Sequence, residues 1–318
     1  MATMPRNRFK DIMRHLRFDD RDTRSERTKT DKFAAISAVW SSFVTNCITS
    51  YNPGRHITID QQLFPPKTHC CFLQYIATKP DKFGIKFWVA CDLKSKYICN
   101  VLPYLGKDPS RPSGERLSEN VVMRLMEPFL DKGRNVTTDN FFTSLSLAQQ
   151  LLRRKTTILG TVNKIRQEIP QSSRQRDCNE LYNATKCSVD VMDQMVREYT
   201  VRTGTWRWPV AVFYNMIDMA ALDAHVLYQA CTRRKERRVD FLVELARELA
   251  NSHVTAKKAL KEELLRQQPS TPSPGKRAMC QVKNQCKNNH ATVRCVDCYR
   301  YTCGKCRREI PWQCQDCE

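Results

Sequence analysis

Apolar residues along this chain follow two rhythms, one with helical spacing and one alternating. "MPRNRFKDIMRHLRF" places Phe9, Ile12, Met13 and Leu16 on one helical face. The polar run "DRDTRSERTKTD" carries no stripe and reads as a loop. From Phe33 to Thr49 the helical period returns through Ile36, Val39, Trp40 and Phe43, and "YNPG" ends that helix in a turn. The rhythm then shifts to strands. "RHITID" alternates, while "GIKFWVACD" and "YICNVLPYL" flank a short turn at Lys94 and Ser95, which predicts a hairpin. Leu117 to Leu130 has helical spacing again, and "NVTTD" reads as a strand. Ser144 to Arg153 reads as a helix capped by Thr143 or Ser144, and "TTILGTV" as another strand. Residues 163–187 are polar and irregular. One helix begins near Ser188 and a second at Pro209, a favoured first-turn proline. A charged helix covers 232–266 with Phe241, Leu242, Leu245, Leu249 and Leu260 on its apolar side, and "QQPSTPSPGK" is a linker.

The order β, β, β, α, β, α, β, followed by helices, predicts a mixed α/β sheet with helices on its faces. That arrangement resembles the ribonuclease-H-like core. At 318 residues the chain can bury a substantial core. Its net charge of +20 favours a polyanionic partner, because a Lys/Arg-rich face releases counterions from phosphates. The N-terminal segment lacks the apolar core of a signal peptide. The most apolar stretch, Val210 to Tyr228, carries Asp218, Asp223 and His225, which predicts a buried helix and not a membrane span. The 16 cysteines are then expected as thiols and metal ligands in a reducing compartment. No glycine-rich nucleotide loop and no Ser-His-Asp or Cys-His nucleophile pattern is present.

The first candidate chemistry is a set of aspartates. Asp60, Asp92 and Asp139 close apolar runs, and Asp190 and Asp193 lie one turn apart on a helix-like segment. Two divalent ions about 4 Å apart, held by three or four carboxylates from separate elements, suit phosphoryl transfer on a nucleic-acid backbone. The structural alternatives are helix capping by Asp139 and first-turn dipole stabilisation by Asp190 and Asp193.

Five blocks narrow this set: "ITIDQQL", "YIATKPDKFGIKFWVACDLKSKYICNVLPYLGK", "RNVTTDNFFTSLSLAQQLL", "TTILGTVNKIRQEIP", and "VDVMDQM" followed by "WRWPVAVFYNMIDMAALDAHVLY". In order and spacing they resemble piggyBac transposases and their domesticated derivatives over most of residues 5–230. The resemblance implies a DDD triad on a ribonuclease-H-like fold, with Asp60, Asp139 and Asp190 in the three positions and Asp193 as an accessory acid. It implies Mg²⁺-dependent cleavage and transfer of double-stranded DNA at TTAA sites by a hairpin route, and a homodimer on transposon ends. Asp92 falls outside the triad and is expected to order the hairpin. Two departures point to a catalytically inactive DNA- or chromatin-binding derivative as the alternative. Only 50 residues separate Asp139 from Asp190, where the family usually holds an insertion domain, and Cys187 and Ser188 replace the usual glycines. The expected division is 1–54 as a helical dimerisation and DNA-binding remnant, 55–231 as the core with a shortened insertion at 163–187, 232–279 as charged helix and linker, and 280–318 as a cysteine-rich domain.

Cys280, Cys286, Cys295, Cys298, Cys303, Cys306, Cys314 and Cys317 occupy that last segment, three of the four pairs as CxxC. Such spacing lets two thiolates reach one tetrahedral Zn²⁺, so eight ligands predict two zinc ions whose binding supplies most of the local folding energy. Two pairings are open. A cross-brace joins Cys280/Cys286 with Cys303/Cys306 and Cys295/Cys298 with Cys314/Cys317; a sequential order is the other, and His290 is a possible substitute ligand. The tail resembles the cysteine-rich domain of the same family, which implies recognition of transposon-end DNA, with Lys283, Lys287, Arg294, Arg300, Lys305, Arg307 and Arg308 as phosphate contacts. A RING-like ligase or PHD-like histone reader is a third class. "RTGTWRWP" reads either as core or as Trp206 and Trp208 stacking on unpaired bases beside Arg202 and Arg207. "RRKERR" from Arg233 reads as a nuclear-localisation or phosphate patch, or as a solvated helix start, and a nuclear protein is the expectation.

Overall fold

Strand β1 (His56–Phe64) is the hub of the sheet, and its alternation separates two cores. Thr58, Asp60, Gln62 and Phe64 face one side; Ile57, Ile59 and Leu63 face the other. The computed structural model describes residues 3–66, 68, 70–77, 81–106, 114–162, 179–266, 278–282, 286, 289–295 and 300–307. Helices α1 (Arg6–His15), α2 (Arg21–Thr30) and α3 (Ser37–Ser50) precede β1, followed by β2 (Leu73–Tyr75), β3 (Phe83–Asp92) and β4 (Ile98–Pro103). Then come α4 (Leu117–Met126) with a trailing 3₁₀ turn, β5 (Asn135–Thr138), α5 (Leu145–Arg153) and β6 (Thr157–Gly160). The last elements are α6 (Asn179–Lys186), α7 (Ser188–Glu198), α8 (Trp208–Thr232), α9 (Arg238–Arg266), β7 (Ala278–Met279) and β8 (His290–Ala291).

The sheet order is β2-β3-β1-β5-β6, with β4 sharing the far side of β3 with β2. β1 pairs antiparallel with β3 and parallel with β5, and β5 pairs parallel with β6. This mixed six-stranded sheet, four antiparallel strands joined to a parallel pair, is consistent with a ribonuclease-H-like core. One face carries Phe64, Ile85, Phe87, Val89 and Cys91 and packs on α3, α7 and α8. The other carries Ile57, Ile59, Trp88 and Val136 and packs on α4 and α5.

The chain forms two compact units, Arg17–Val239 and Met1–Leu16 with Asp240–Glu318. Trp40 of α3 stacks on Phe87 of β3 at 5.1 Å, so α3 is a layer of the sheet's own core. The expected loop at "DRDTRSERTKTD" is helix α2. Asp20 caps it by accepting the Asp22 N–H at 3.0 Å, and the half-buried Asp19 binds both Arg24 and Arg27. Charge pairing and a cap build that helix without an apolar stripe, so periodicity is blind to it. Part of the 163–187 segment is also ordered as α6; residues 163–178 lie outside the described residues. α8 is long and apolar enough to cross a membrane, yet Asp218, Asp223 and His225 are buried with its apolar side in the protein core.

Candidate active site and cysteine centre

The backbone brings two of the expected triad positions near one another in sequence register. Ile59 of β1 is level with Thr138 of β5, so Asp60 in β1 and Asp139, the residue after β5, each follow that pair. β5 ends there while β1 runs on to Phe64, which leaves Asp139 at the start of a turn. Both aspartates are half-buried. Asp60 Oδ1 accepts the Gln61 N–H at 2.7 Å, and Asp139 Oδ1 accepts the Phe141 N–H at 3.1 Å.

Residues flanking Asp60 fix helices above it. Thr58 Oγ1 donates to the Thr185 carbonyl of α6 at 2.8 Å. Gln62 Nε2 donates to Asp193 Oδ1 of α7 at 2.9 Å, while Gln62 Oε1 accepts from Asn215 Nδ2 of α8 at 3.2 Å. Asp60 lies between these anchors in β1, just as Asp190 lies between Thr185 and Asp193 along the helical segment. Asp190 itself is exposed, in the first turn of α7. Asp193 also pairs with Arg197 at 3.0 Å, and Arg197 donates to the Leu63 carbonyl at 2.9 Å and to Asp81 at 2.8 Å. Asp193 thus clamps α7 to β1. Among the described residues, the group of His, Cys, Asp or Glu found close enough to hold a metal ion is the cysteine group below.

Asp92 has the other role expected of it. It is 2% exposed. Its Oδ1 accepts the Gly54 N–H at 2.8 Å, and its Oδ2 accepts the Ser95 N–H and Oγ at 2.8 Å each and the Lys94 N–H at 3.2 Å. Four donors on one buried carboxylate make it the lock of the β3–β4 turn.

Three supporting residues escaped the sequence reading. Gln62 occupies a buried strand position where an apolar residue would pass unnoticed; a polar side chain in that phase is the signal. Ser188, in a place expected for glycine, accepts from Lys96 Nζ at 3.2 Å and ties the β3–β4 turn to the first turn of α7. Gly160 closes β6 against the Asp139 turn. A Cβ there would sit 2.9 Å from Thr138 O and collide with Thr143 Oγ1. Thr143 is the staple of that turn, bonded to Thr138 Oγ1 at 2.8 Å and donating to the Asp139 carbonyl at 2.7 Å.

The cysteine tail shows the pairing of the cross-brace at one end. Cys280, Cys286, Cys303 and Cys306 are all buried, with their sulfurs within 4.8 Å of one another. Cys286 Sγ lies 3.4 Å from Cys303 Sγ and 3.6 Å from Cys306 Sγ. A tetrahedron of 2.3 Å Zn–S bonds has edges of about 3.8 Å, so this group fits one metal ion. Burial, then the neighbouring thiols, push Cys306 up to about 12. A bound divalent cation reverses that balance by stabilising thiolates. The hairpin β7–β8 and the Cys306 N–H bond to Cys303 O at 3.0 Å hold the two ligand pairs. His290 is exposed on β8 and outside the group. Cys295 is buried, and Cys298, Cys314 and Cys317 lie outside the described residues.

A family model described as "Transposase IS4" matches residues 1–180. A cryo-EM structure of a piggyBac transposase synaptic complex with hairpin DNA superposes with a TM-score of 0.75 at 29% identity, covering 99% of this chain and 80% of that one. The chain belongs to the piggyBac transposase family. Over 168 residues it is 29% identical to the human PiggyBac transposable element-derived protein 3, covering 51% of this chain and 28% of that protein. The human Chimeric ERCC6-PGBD3 protein matches at the same identity, with 15% of its length covered. The chain therefore spans less than a third of these piggyBac-derived relatives.

The tryptophan pair divides. Trp208 stacks on Phe33 at 5.6 Å and meets Phe72 edge-on at 5.0 Å, as core. Trp206 is 85% exposed. The basic run also divides. Arg233, Arg234, Lys235 and Arg237 are exposed between α8 and α9, whereas Arg238 is buried against Glu198 at 2.9 Å and over the Tyr199 ring.

Proposed function

We propose that this chain is a DNA strand-cleaving and strand-transferring protein of the piggyBac type, acting at TTAA sites as a nuclear homodimer on DNA. One observation carries the reading: Asp60 and Asp139 each directly follow a paired position, Ile59 of β1 with Thr138 of β5, and the residues on either side of Asp60 bond α6 and α7, the helix that bears Asp190. Carboxylate oxygens from adjacent strands form a hard donor set suited to Mg²⁺. Asp60, Asp139 and Asp190 would hold two such ions, which lower the pKa of an attacking water or 3′-hydroxyl and stabilise the leaving oxygen. The protein's part is positional. Gln62 and Asp193 set the height and rotation of α7, Thr143 staples the Asp139 turn, and the net charge of +20 draws the DNA backbone. The cysteine tail supplies a zinc-held module for duplex contact.

A second reading is a family member that binds DNA without cleaving it. It is favoured by the exposure of Asp190. Nicking of DNA bearing TTAA and terminal repeats, in Mg²⁺, with wild type against Asp139→Ala decides between them. Nicking by wild type that the substitution abolishes supports catalysis. Binding without nicking by either protein supports the second reading.

A further inference from the structure

A groove of about 390 Å³ opens beside Trp206, and neither the aspartates nor the cysteine group lines it. That volume lies within the range of small-molecule and nucleotide-sized pockets. Its basic side chains are Arg17, Arg24, Lys32 and Arg207, and its apolar wall is Phe18 and Trp208. All of them belong to the unit Arg17–Val239.

Two features mark it as a binding site. The first is Trp206, whose indole is 85% exposed although its neighbour Trp208 is packed in the core. Exposing a large aromatic ring to water has a cost that a stacked ligand would remove. The second is crowding of like charge. Burial first, and then the charges of Arg17 and Arg24, lower the pKa of Arg207. Asp19, the carboxylate that pairs with Arg24, is also shared by Arg27. Lys32 Nζ donates to the Leu105 carbonyl at 3.2 Å. A phosphate in this groove would relieve the repulsion while a base covers Trp206.

We infer that this groove binds an unpaired nucleic-acid strand, with one base stacked on Trp206 and the adjoining phosphates held by Arg17, Arg24, Lys32 and Arg207. The inference rests on the DNA reading above and adds a single-strand site to it. Duplex DNA keeps its bases stacked internally and offers Trp206 no free face, so the site discriminates between the two forms.

The test measures anisotropy of fluorescein-labelled oligo(dT) and of a blunt duplex of equal length, using the full chain. Trp206→Ala is expected to weaken oligo(dT) binding about 5- to 150-fold, the loss of one base–aromatic stack, and to leave duplex binding within about twofold. Trp206→Phe should recover most of the loss. Arg17→Gln with Lys32→Gln should make the salt dependence on oligo(dT) shallower by about 1.4 in log–log slope, two phosphate contacts at about 0.7 each. Equal losses on both probes, or no loss on oligo(dT), would overturn the single-strand site. If wild type binds duplex normally and Trp206→Ala changes nothing, this inference fails alone; if wild type binds neither probe, the DNA reading fails with it.

Discussion

Gln62 is the buried link between β1, α7 and α8, and replacing it should reveal how firmly the site is held. In Gln62→Leu the side chain keeps its bulk but loses both bonds. Asn215, 2% exposed, loses the acceptor of its amide at 3.2 Å. Asp193 loses a donor at 2.9 Å but retains Arg197 and partial access to water. An orphaned buried donor costs about 1–3 kcal/mol, and a bond to a charged acceptor about 1.5–3 kcal/mol, less where water substitutes. A net destabilisation of about 2–3 kcal/mol follows, or about 4–12 °C in Tm for a unit of this size. Asn215→Leu alone strands the Gln62 carbonyl and should cost a similar amount. The double variant removes both partners, so it should be more stable than the sum of the singles predicts by about 1–2 kcal/mol. Thermal melts of the four proteins measure this cycle. Additivity within about 0.5 kcal/mol, or single variants indistinguishable from wild type, would refute the linkage.

Cys286→Ser should lower the zinc content by one ion per chain, read by a colorimetric metal assay after denaturation, while His290→Ala leaves it unchanged, because His290 is outside the four-sulfur group. The Asp223 carboxyl accepts the Ile98 N–H at 2.8 Å in full burial, and that burial raises its pKa well above the usual carboxylate range. The unfolded chain releases this proton near about pH 4 and the folded one keeps it, so the group's contribution is complete below about pH 4 and is lost as pH rises. Asp223→Asn should therefore gain stability relative to wild type between about pH 5 and about pH 8, measured as urea midpoints. A difference independent of pH would contradict this assignment.

The long strands β1 and β3 were legible because each runs in a phase that only a two-sided core explains, Ile57 and Ile59 to one face and Phe87 and Val89 to the other, whereas the three-residue β2, with no buried position, left no such pattern. The segments that carry Asp60, Asp139 and Asp190 were legible as motif and spacing, but the side chains that tie them together were not. Gln62 and Ser188 act through partners more than 90 residues away, Asp193 and Lys96 among them, and nothing local marks such pairs. Helix α2 is built from charge pairs and a cap, which no apolar periodicity reports. Trp206 and Trp208 are two residues apart with the same chemistry, and only tertiary packing sends one inward.

The parallel pairing of β1 with β5 also sets an order of assembly. His56 and Asn135 are 79 residues apart, whereas the β3–β4 hairpin closes across a turn of a few residues. Loop-closure entropy makes the longer connection costlier by about 2.5 kcal/mol. The antiparallel strands therefore zip first, and Asp60 waits on their edge until β5 docks. A nascent chain that has not yet released residue 139 already contains most of the sheet, yet the segment that ends in Asp139 has still to reach β1. Whatever Asp60 and Asp139 do together can thus begin only when the long-range half of the fold is complete.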